Sequence, residues 1–247
     1  MIEINSSPRP SILDSKSKNT ISLISNSAID SILPSITQDT ITTVYGPPAS
    51  GKTTLMLQYA LEAIKHGKKV IFVDTEGGFS VERLYQLGAK EDNLSSIIHF
   101  TPKSFEEQQR TILQLNRQIK NDKSIGLIII DSLVMLYRLK LGDAPQKINT
   151  ELGEQLRMLT ELSRNFNIAI LATNQMYQDF ETKETKMVGG NVIHYWSKTI
   201  VELTNEGLDK KAILKKHKFI ESGKEILYSI KNKGLIAHKS RGFTFFK

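Results

Sequence analysis

Apolar residues are arranged along this chain in two alternating patterns. Short runs that are apolar at nearly every position are separated by stretches in which apolar residues recur at helical spacing. Val70–Val73 and Leu127–Ile130 are apolar throughout, Ile168–Ala172 repeats the pattern, and Ile41–Tyr45 is a β-branched run. Between them, Leu55–Lys65 puts Met56, Tyr59, Ala60, Ala63 and Ile64 on one face, with Gly67 as a stop. Val81–Leu87 predicts a short helix and Phe105–Lys120 a longer one, opened by Pro102 and Ser104. Asn149–Asn165 carries Leu152, Leu156, Leu159 and Leu162 on one side. Strands apolar on both faces, alternating with helices, predict a mainly parallel sheet covered on both sides. After residue 198 the period shortens. Thr199–Leu203, Ala212–Lys216, Glu225–Ile230 and Phe243–Phe246 read as strands joined by turns, with Glu221–Lys224 as a hairpin turn. The expected fold is therefore α/β, a twisted, mainly parallel sheet with antiparallel strands added at its C-terminal edge.

Residues 1–20 are rich in Ser, Asn, Pro and Lys without apolar periodicity, and read as a flexible tail before one domain at 21–247. The length of 247 residues, with 39% apolar and 24% charged, fits that layout. No apolar run approaches the ~18 residues of a membrane span, and the N-terminus lacks a secretory pattern. The absence of cysteine excludes disulfides, thiolate metal sites and cysteine nucleophiles. A cytoplasmic location without membrane contact is the expectation. The net charge of +7 is compatible with nucleic-acid binding, although scattered lysines on a solvated surface give the same total.

Gly46-Pro47-Pro48-Ala49-Ser50-Gly51-Lys52-Thr53 matches the phosphate-loop pattern G-x-x-x-x-G-K-[ST], and Thr54 continues into the helix. An apolar strand precedes it and an amphipathic helix follows, as the chemistry requires. Gly46 and Gly51 allow a tight turn and close approach of backbone to phosphate. N–H groups of the later loop residues cradle the β-phosphate at the helix N-terminus. Lys52 reaches the β/γ-phosphates, and Thr53 supplies an oxygen to Mg²⁺. ATP and Mg²⁺ are the ligands this pattern implies.

In a parallel sheet all carboxyl ends lie on one edge, where ligands bind. Val70–Val73 runs into Asp74-Thr75-Glu76, Leu127–Ile130 into Asp131-Ser132, and Ile168–Ala172 into Thr173-Asn174-Gln175. Glu76, Asp131 and Gln175 are therefore expected to converge beside the phosphate loop. Asp131 fits the acidic residue that holds the metal. Glu76 fits a general base or water-positioning group, against a solvated turn carboxylate. Gln175 fits a γ-phosphate sensor, against an amide that only ties strand to loop.

These residues resemble a known family. Val73-Asp74-Thr75-Glu76-Gly77, the Leu127–Ser132 strand, Thr173-Asn174-Gln175, Gly189-Gly190-Asn191 and Ile29–Leu33 together are similar to RecA-family recombinases of the archaeal RadA type. Tyr177-Gln178-Asp179 and His194-Tyr195-Trp196-Ser197-Lys198 resemble the short RadB paralogues. So does a length that leaves no room for a helical N-terminal DNA-binding domain. The resemblance spans about residues 25–240. It implies a RecA-like phosphate-loop core, weak ATP hydrolysis, sequence-independent DNA binding, and a role in repair and recombination beside the main RadA-type recombinase. It also implies DNA-facing loops at Tyr137–Lys147 and Met176–Val188, and a basic patch at Lys215-Lys216-His217-Lys218 in which Lys218 stands for an arginine. Arg138, Lys140 and Lys147 in the first loop, and Lys183 and Lys186 in the second, are the candidate phosphate contacts. An ordinary basic surface competes with that reading, and Asp179, Glu181 and Glu184 nearly neutralise the second loop. A homo-oligomer is compatible with the family, but no Phe precedes Phe72, so polymerisation through a Phe-x-x-Ala segment is doubtful. A regulatory ATPase of the KaiC kind and a non-hydrolysing ATP-bound adaptor remain as alternatives.

Overall fold

In the computed structural model, residues 23–142, 144–178, 185–207 and 209–238 are described. The tail expected at 1–20 and the strand expected at Phe243–Phe246 lie outside them. In chain order the elements are a 3-10 turn (Ala28–Ser31), β1 (Ile41–Tyr45), α1 (Lys52–Lys65), β2 (Lys69–Asp74), α2 (Val81–Gln86), α3 (Glu91–Leu94), β3 (Ile97–Phe100) and α4 (Phe105–Asn121). There follow β4 (Ile125–Asp131), α5 (Met135–Lys140), α6 (Pro145–Phe166), β5 (Ala169–Asn174), β6 (Met176–Gln178), β7 (Thr185–Met187) and α7 (Gly190–Trp196). The chain closes with β8 (Ser197–Glu206), β9 (Asp209–Lys216), β10 (Glu225–Lys231) and β11 (Gly234–Ala237).

Among the described residues, nine strands form one sheet in the order β11-β10-β9-β8-β1-β5-β4-β2-β3. The six strands from β8 to β3 run parallel; β9, β10 and β11 are antiparallel additions at the far edge. The period-2 geometry of strands divides the apolar runs between two cores. Val70, Phe72, Leu127 and Ile129 face α1 and the 3-10 turn. Ile71, Val73, Ile128 and Ile130 face α4 and α6. A run that is apolar at every position is what burial on both faces demands.

Helix α1 is buried from Leu55 to Ile64, because β10 and β11 fold back over the side that would otherwise meet solvent. The Leu235 N–H donates to Gln58 Oε1 at 3.0 Å, and that amide is itself nearly inaccessible. Ser80 and Ser104 cap α2 and α4 by accepting from Arg83 N and Glu107 N. Asn167 ends α6 in the left-handed region, at φ 54°.

Two expectations change. The segment Tyr137–Lys147, expected as a loop, is mostly helical: α5 holds Tyr137–Lys140, and α6 begins at Pro145 rather than Asn149. A proline at the first helical position has no N–H to leave unpaired. Polar residues at 145–147 hide that turn from an apolar-periodicity search. The four-residue strands β3 and β11 and helix α7 were also absent from the sequence reading; each is too short to establish a period.

Gly234 sits at φ +102°, and a Cβ there would lie 2.3 Å from Gln58 Cδ. Gly234→Ala is expected to destabilise the fold by about 2 kcal/mol, from backbone strain and overpacking together. The urea midpoint checks it: the slope should stay constant while the midpoint falls.

Candidate active site

The loop between β1 and α1 turns in a space that side chains would close. A Cβ at Gly46 would stand 2.4 Å from the Leu203 carbonyl oxygen, and one at Gly51 2.9 Å from Ile230 Cδ1. Gly51 is also in the left-handed region, at φ 96°, where it precedes the first helical residue, Lys52. The Tyr228 hydroxyl donates to the Ser50 carbonyl at 2.6 Å, fixing the loop from the C-terminal side of the sheet. Burial pushes that phenol's pKa up, so it stays a donor. The amides at the N-terminus of α1 are the uncommitted donors of a helix end.

Lys52 folds back over the loop. Its Nζ donates to the carbonyls of Gly46 and Pro47 at 3.0 and 2.8 Å. Burial lowers its pKa, opposed by the nearby carboxylates of Glu76 and Asp131. Thr53 Oγ1 donates to Asp131 Oδ2 at 2.6 Å, and Thr173 Oγ1 donates to Asp131 Oδ1. Asp131 is 2% exposed. Its burial raises the carboxyl pKa, against the opposing pull of the two hydroxyl bonds. Thr53 and Asp131 thus present hard oxygens side by side at the helix start, a donor set that suits Mg²⁺.

Glu76 Oε1 accepts from Gln175 Nε2 at 2.9 Å, and Arg138 Nη1 reaches Gln175 Oε1 at 3.5 Å. The ends of β2, β4 and β5 therefore bring Glu76, Asp131 and Gln175 to the rim that holds the loop. Two reciprocal bonds lock β2 to β4: Thr75 Oγ1 donates to Ser132 O, and Ser132 N donates to Thr75 Oγ1.

The sequence reading missed what holds Glu76 in place. Asp74 is buried, and its Oδ1 accepts from the N–H groups of Glu76, Gly77 and Gly78, at 3.1, 2.7 and 3.1 Å. Oδ2 accepts from Phe79 N at 3.0 Å. An Asp at a strand end before Gly-Gly is the available signal, since such side chains collect the N–H groups of the turn that follows. Gly78 lies over the metal-type pair, where a Cβ would be 3.4 Å from Thr53 Oγ1. Beyond α1, an open cleft of about 860 Å³ adjoins Thr54 and is lined by Arg83, Ile230, Lys231, Asn232 and Ile236. Arg83 bridges to the Lys231 carbonyl at 2.8 Å.

The residues read as DNA contacts are dispersed. Arg138 points at Gln175. Lys140 is held by Glu106 and by Glu151 at 3.0 Å, so its ammonium ties α5 to α4 and α6. Lys147 lies 4.0 Å from Glu151. Lys183 falls outside the described residues. Lys186 lies on β7, which pairs with β6 as a hairpin where a continuous loop was expected. That hairpin is anchored at the site: Val188 N donates to Gln175 O, and Asn174 Nδ2 donates to Val188 O. A cleft of about 670 Å³ between α5 and the hairpin is lined by Tyr137, Arg138, Tyr177, Gly189 and Asn191. Lys215 and Lys216 close β9, and His217 and Lys218 follow it. There Lys215 pairs with Glu202 at 3.3 Å, and Lys216 Nζ donates to the His194 carbonyl at 2.6 Å.

A phosphate loop at the head of a nine-stranded sheet, with acidic and amide groups on three neighbouring strand ends, defines a RecA-like nucleotide-binding core. The Rad51 family profile matches residues 16–238, and the chain belongs to the Rad51 family. Members of that family are ATPases and typically bind ATP with Mg²⁺. Within it the chain groups with the RadB proteins. It is 42% identical to the DNA repair and recombination protein RadB of Methanosphaera stadtmanae, covering 85% of this chain and 94% of that one. It is 38% identical to RadB of Methanobrevibacter smithii over the same shares. The crystal structure of the RadB recombinase superposes with a TM-score of 0.74 at 34% identity, covering 88% of this chain and all of the other.

Asp74→Ala removes the acceptor for four backbone donors. It is expected to cost about 2 kcal/mol and to speed amide exchange selectively at Glu76–Phe79. Exchange that stays slow there would show that the turn holds without the carboxylate.

Proposed function

We propose that this chain is an ATP-binding, weakly ATP-hydrolysing protein of DNA repair and recombination. In this reading it binds DNA without regard to sequence and acts beside a RadA-type recombinase, as a single ATPase domain from residue 21 onward. The observation that carries the nucleotide reading is the convergence of Lys52, Thr53 and Asp131 beneath a loop that admits no side chain at Gly46. The role in repair rests on the RadB relatives.

Backbone N–H groups of Ala49–Thr54 hold the β-phosphate, while Pro47 and Pro48, which have no N–H, shape the entry of the loop. Lys52 exchanges its two carbonyl acceptors for phosphate oxygens, which suit a partly desolvated ammonium far better. Thr53 and Asp131 would hold Mg²⁺, which would supply charge neutralisation at the phosphates. Glu76 orients the attacking water and accepts its proton. Gln175 binds Glu76 on one side and heads the β6–β7 hairpin on the other, so a change at the γ-phosphate reaches that hairpin directly. The engagement of Glu76 by Gln175 supports slow turnover, because the base is already occupied by a donor. Arg138, beside the hairpin, and Lys186, on its second strand, supply phosphate contacts there. Lys140 and Lys147 are better read as intramolecular ion pairs, given their carboxylate partners.

Lys52→Ala should abolish ATP binding, measured by titration of a fluorescent analogue; retention of affinity would remove the site. Glu76→Gln should keep ATP binding while phosphate release falls on the order of 100-fold or more. Unaltered release would take Glu76 out of its role. Release measured with and without single-stranded DNA separates an active ATPase from a non-hydrolysing adaptor.

A further inference from the structure

The turn that carries Glu76 is held from both ends. At its start, the buried Asp74 carboxylate collects the N–H groups of Glu76 to Phe79. Between Glu76 and Phe79 stand Gly77, at φ 73°, and Gly78, the residue type with the most backbone freedom. Glu76, Gly77 and Gly78 are exposed, and a Cβ at Gly77 would meet nothing within 4 Å. The aim of the Glu76 carboxylate therefore depends on where Phe79, the first apolar side chain after the glycines, is fixed.

Two rings from neighbouring strands fix it. Phe72 of β2, which is fully buried, meets the Phe79 ring edge-on, with centroids 5.1 Å apart and planes at 65°. His99 of β3 lies nearly flat on the same ring, at 4.5 Å and 29°. Phe72 and His99 are register partners in the parallel pair β2–β3, so their side chains share one face of the sheet. His99 Nε2 also lies 3.7 Å from Asp74 Oδ2, and its side chain is 34% exposed. That separation is longer than a hydrogen bond, and a partly exposed pair at such a distance contributes little. The stacked ring is the closer contact, and its plane sets the orientation of Phe79 as well as covering it.

We propose that His99 is a positioning residue for ATP hydrolysis: by stacking on Phe79 it clamps the far end of the turn and so aims Glu76 at the attacking water. The inference rests on the ATPase reading above and adds a residue on the edge strand that touches neither nucleotide nor metal. The phosphate loop lies on another element, so the effect falls on turnover and not on ATP binding.

The test uses the full chain and follows phosphate release, affinity for a fluorescent ATP analogue, and amide exchange without nucleotide. His99→Ala should lower kcat about tenfold with KM and analogue affinity unchanged, and should speed exchange at Glu76–Phe79. His99→Phe, which keeps a ring without the nitrogen, should restore both turnover and slow exchange. His99→Gln, which keeps a polar group without the ring, should restore neither. Equal kcat for His99→Ala and the unaltered chain would overturn the inference while leaving the ATPase reading in place. Rescue by His99→Gln but not by His99→Phe would overturn stacking as the means. A fall in analogue affinity matching the fall in release would overturn the positioning role and mark His99 as structural support for the whole site. Absence of phosphate release from the unaltered chain would overturn the ATPase reading and this inference with it.

Discussion

One buried carboxylate organises the rim of this sheet. Asp131 ends β4, accepts from Thr53 at the start of α1 and from Thr173 near the end of β5, and has almost no access to water. Left without those hydroxyls, a carboxyl in that position would be driven to its neutral form. With them the carboxyl pKa is still raised by burial, but the two hydroxyl bonds pull against that shift. The same two bonds set the start of α1 against the neighbouring strand ends. The position of the phosphate loop and the local electrostatics thus have one cause.

Around that point, charges are kept close to partners they can give up. Lys52 rests on two neutral carbonyls. Glu76 rests on the Gln175 amide. Neutral partners satisfy the half-buried Lys52 ammonium and the exposed Glu76 carboxylate without neutralising either. Asp74 differs in being consumed by structure: four N–H groups of the turn that carries Glu76 donate to it, and His99 Nε2 lies 3.7 Å from its Oδ2. Two acidic residues two positions apart thus do unlike work, one exposed at the site and one buried as its mount.

How much of this was legible in the sequence depended on how local the cause was. The apolar runs at Val70–Val73 and Leu127–Ile130 announced central strands because burial on both faces leaves no polar position. The convergence of Glu76, Asp131 and Gln175 was expected from one rule about parallel strand ends, and Glu76 and Gln175 do meet, at 2.9 Å. Asp74 was visible but misplaced in importance, since a side chain's acceptor count is settled by the turn's shape rather than its composition. Lys140 looked like a free cation because its partners, Glu106 and Glu151, lie on other elements. Tyr228 gave no sign of reaching Ser50, for that contact joins residues 178 positions apart.

That last contact bears on how the molecule is made. Ser50 and Gly51 lean on Tyr228, Ile230 and Leu235, which belong to the final strands of the described chain. During translation the cradle is synthesised well before the wall behind it, since Tyr228 follows Ser50 by 178 positions. A nascent chain therefore carries the phosphate-loop motif long before the strands that pack behind it have been made.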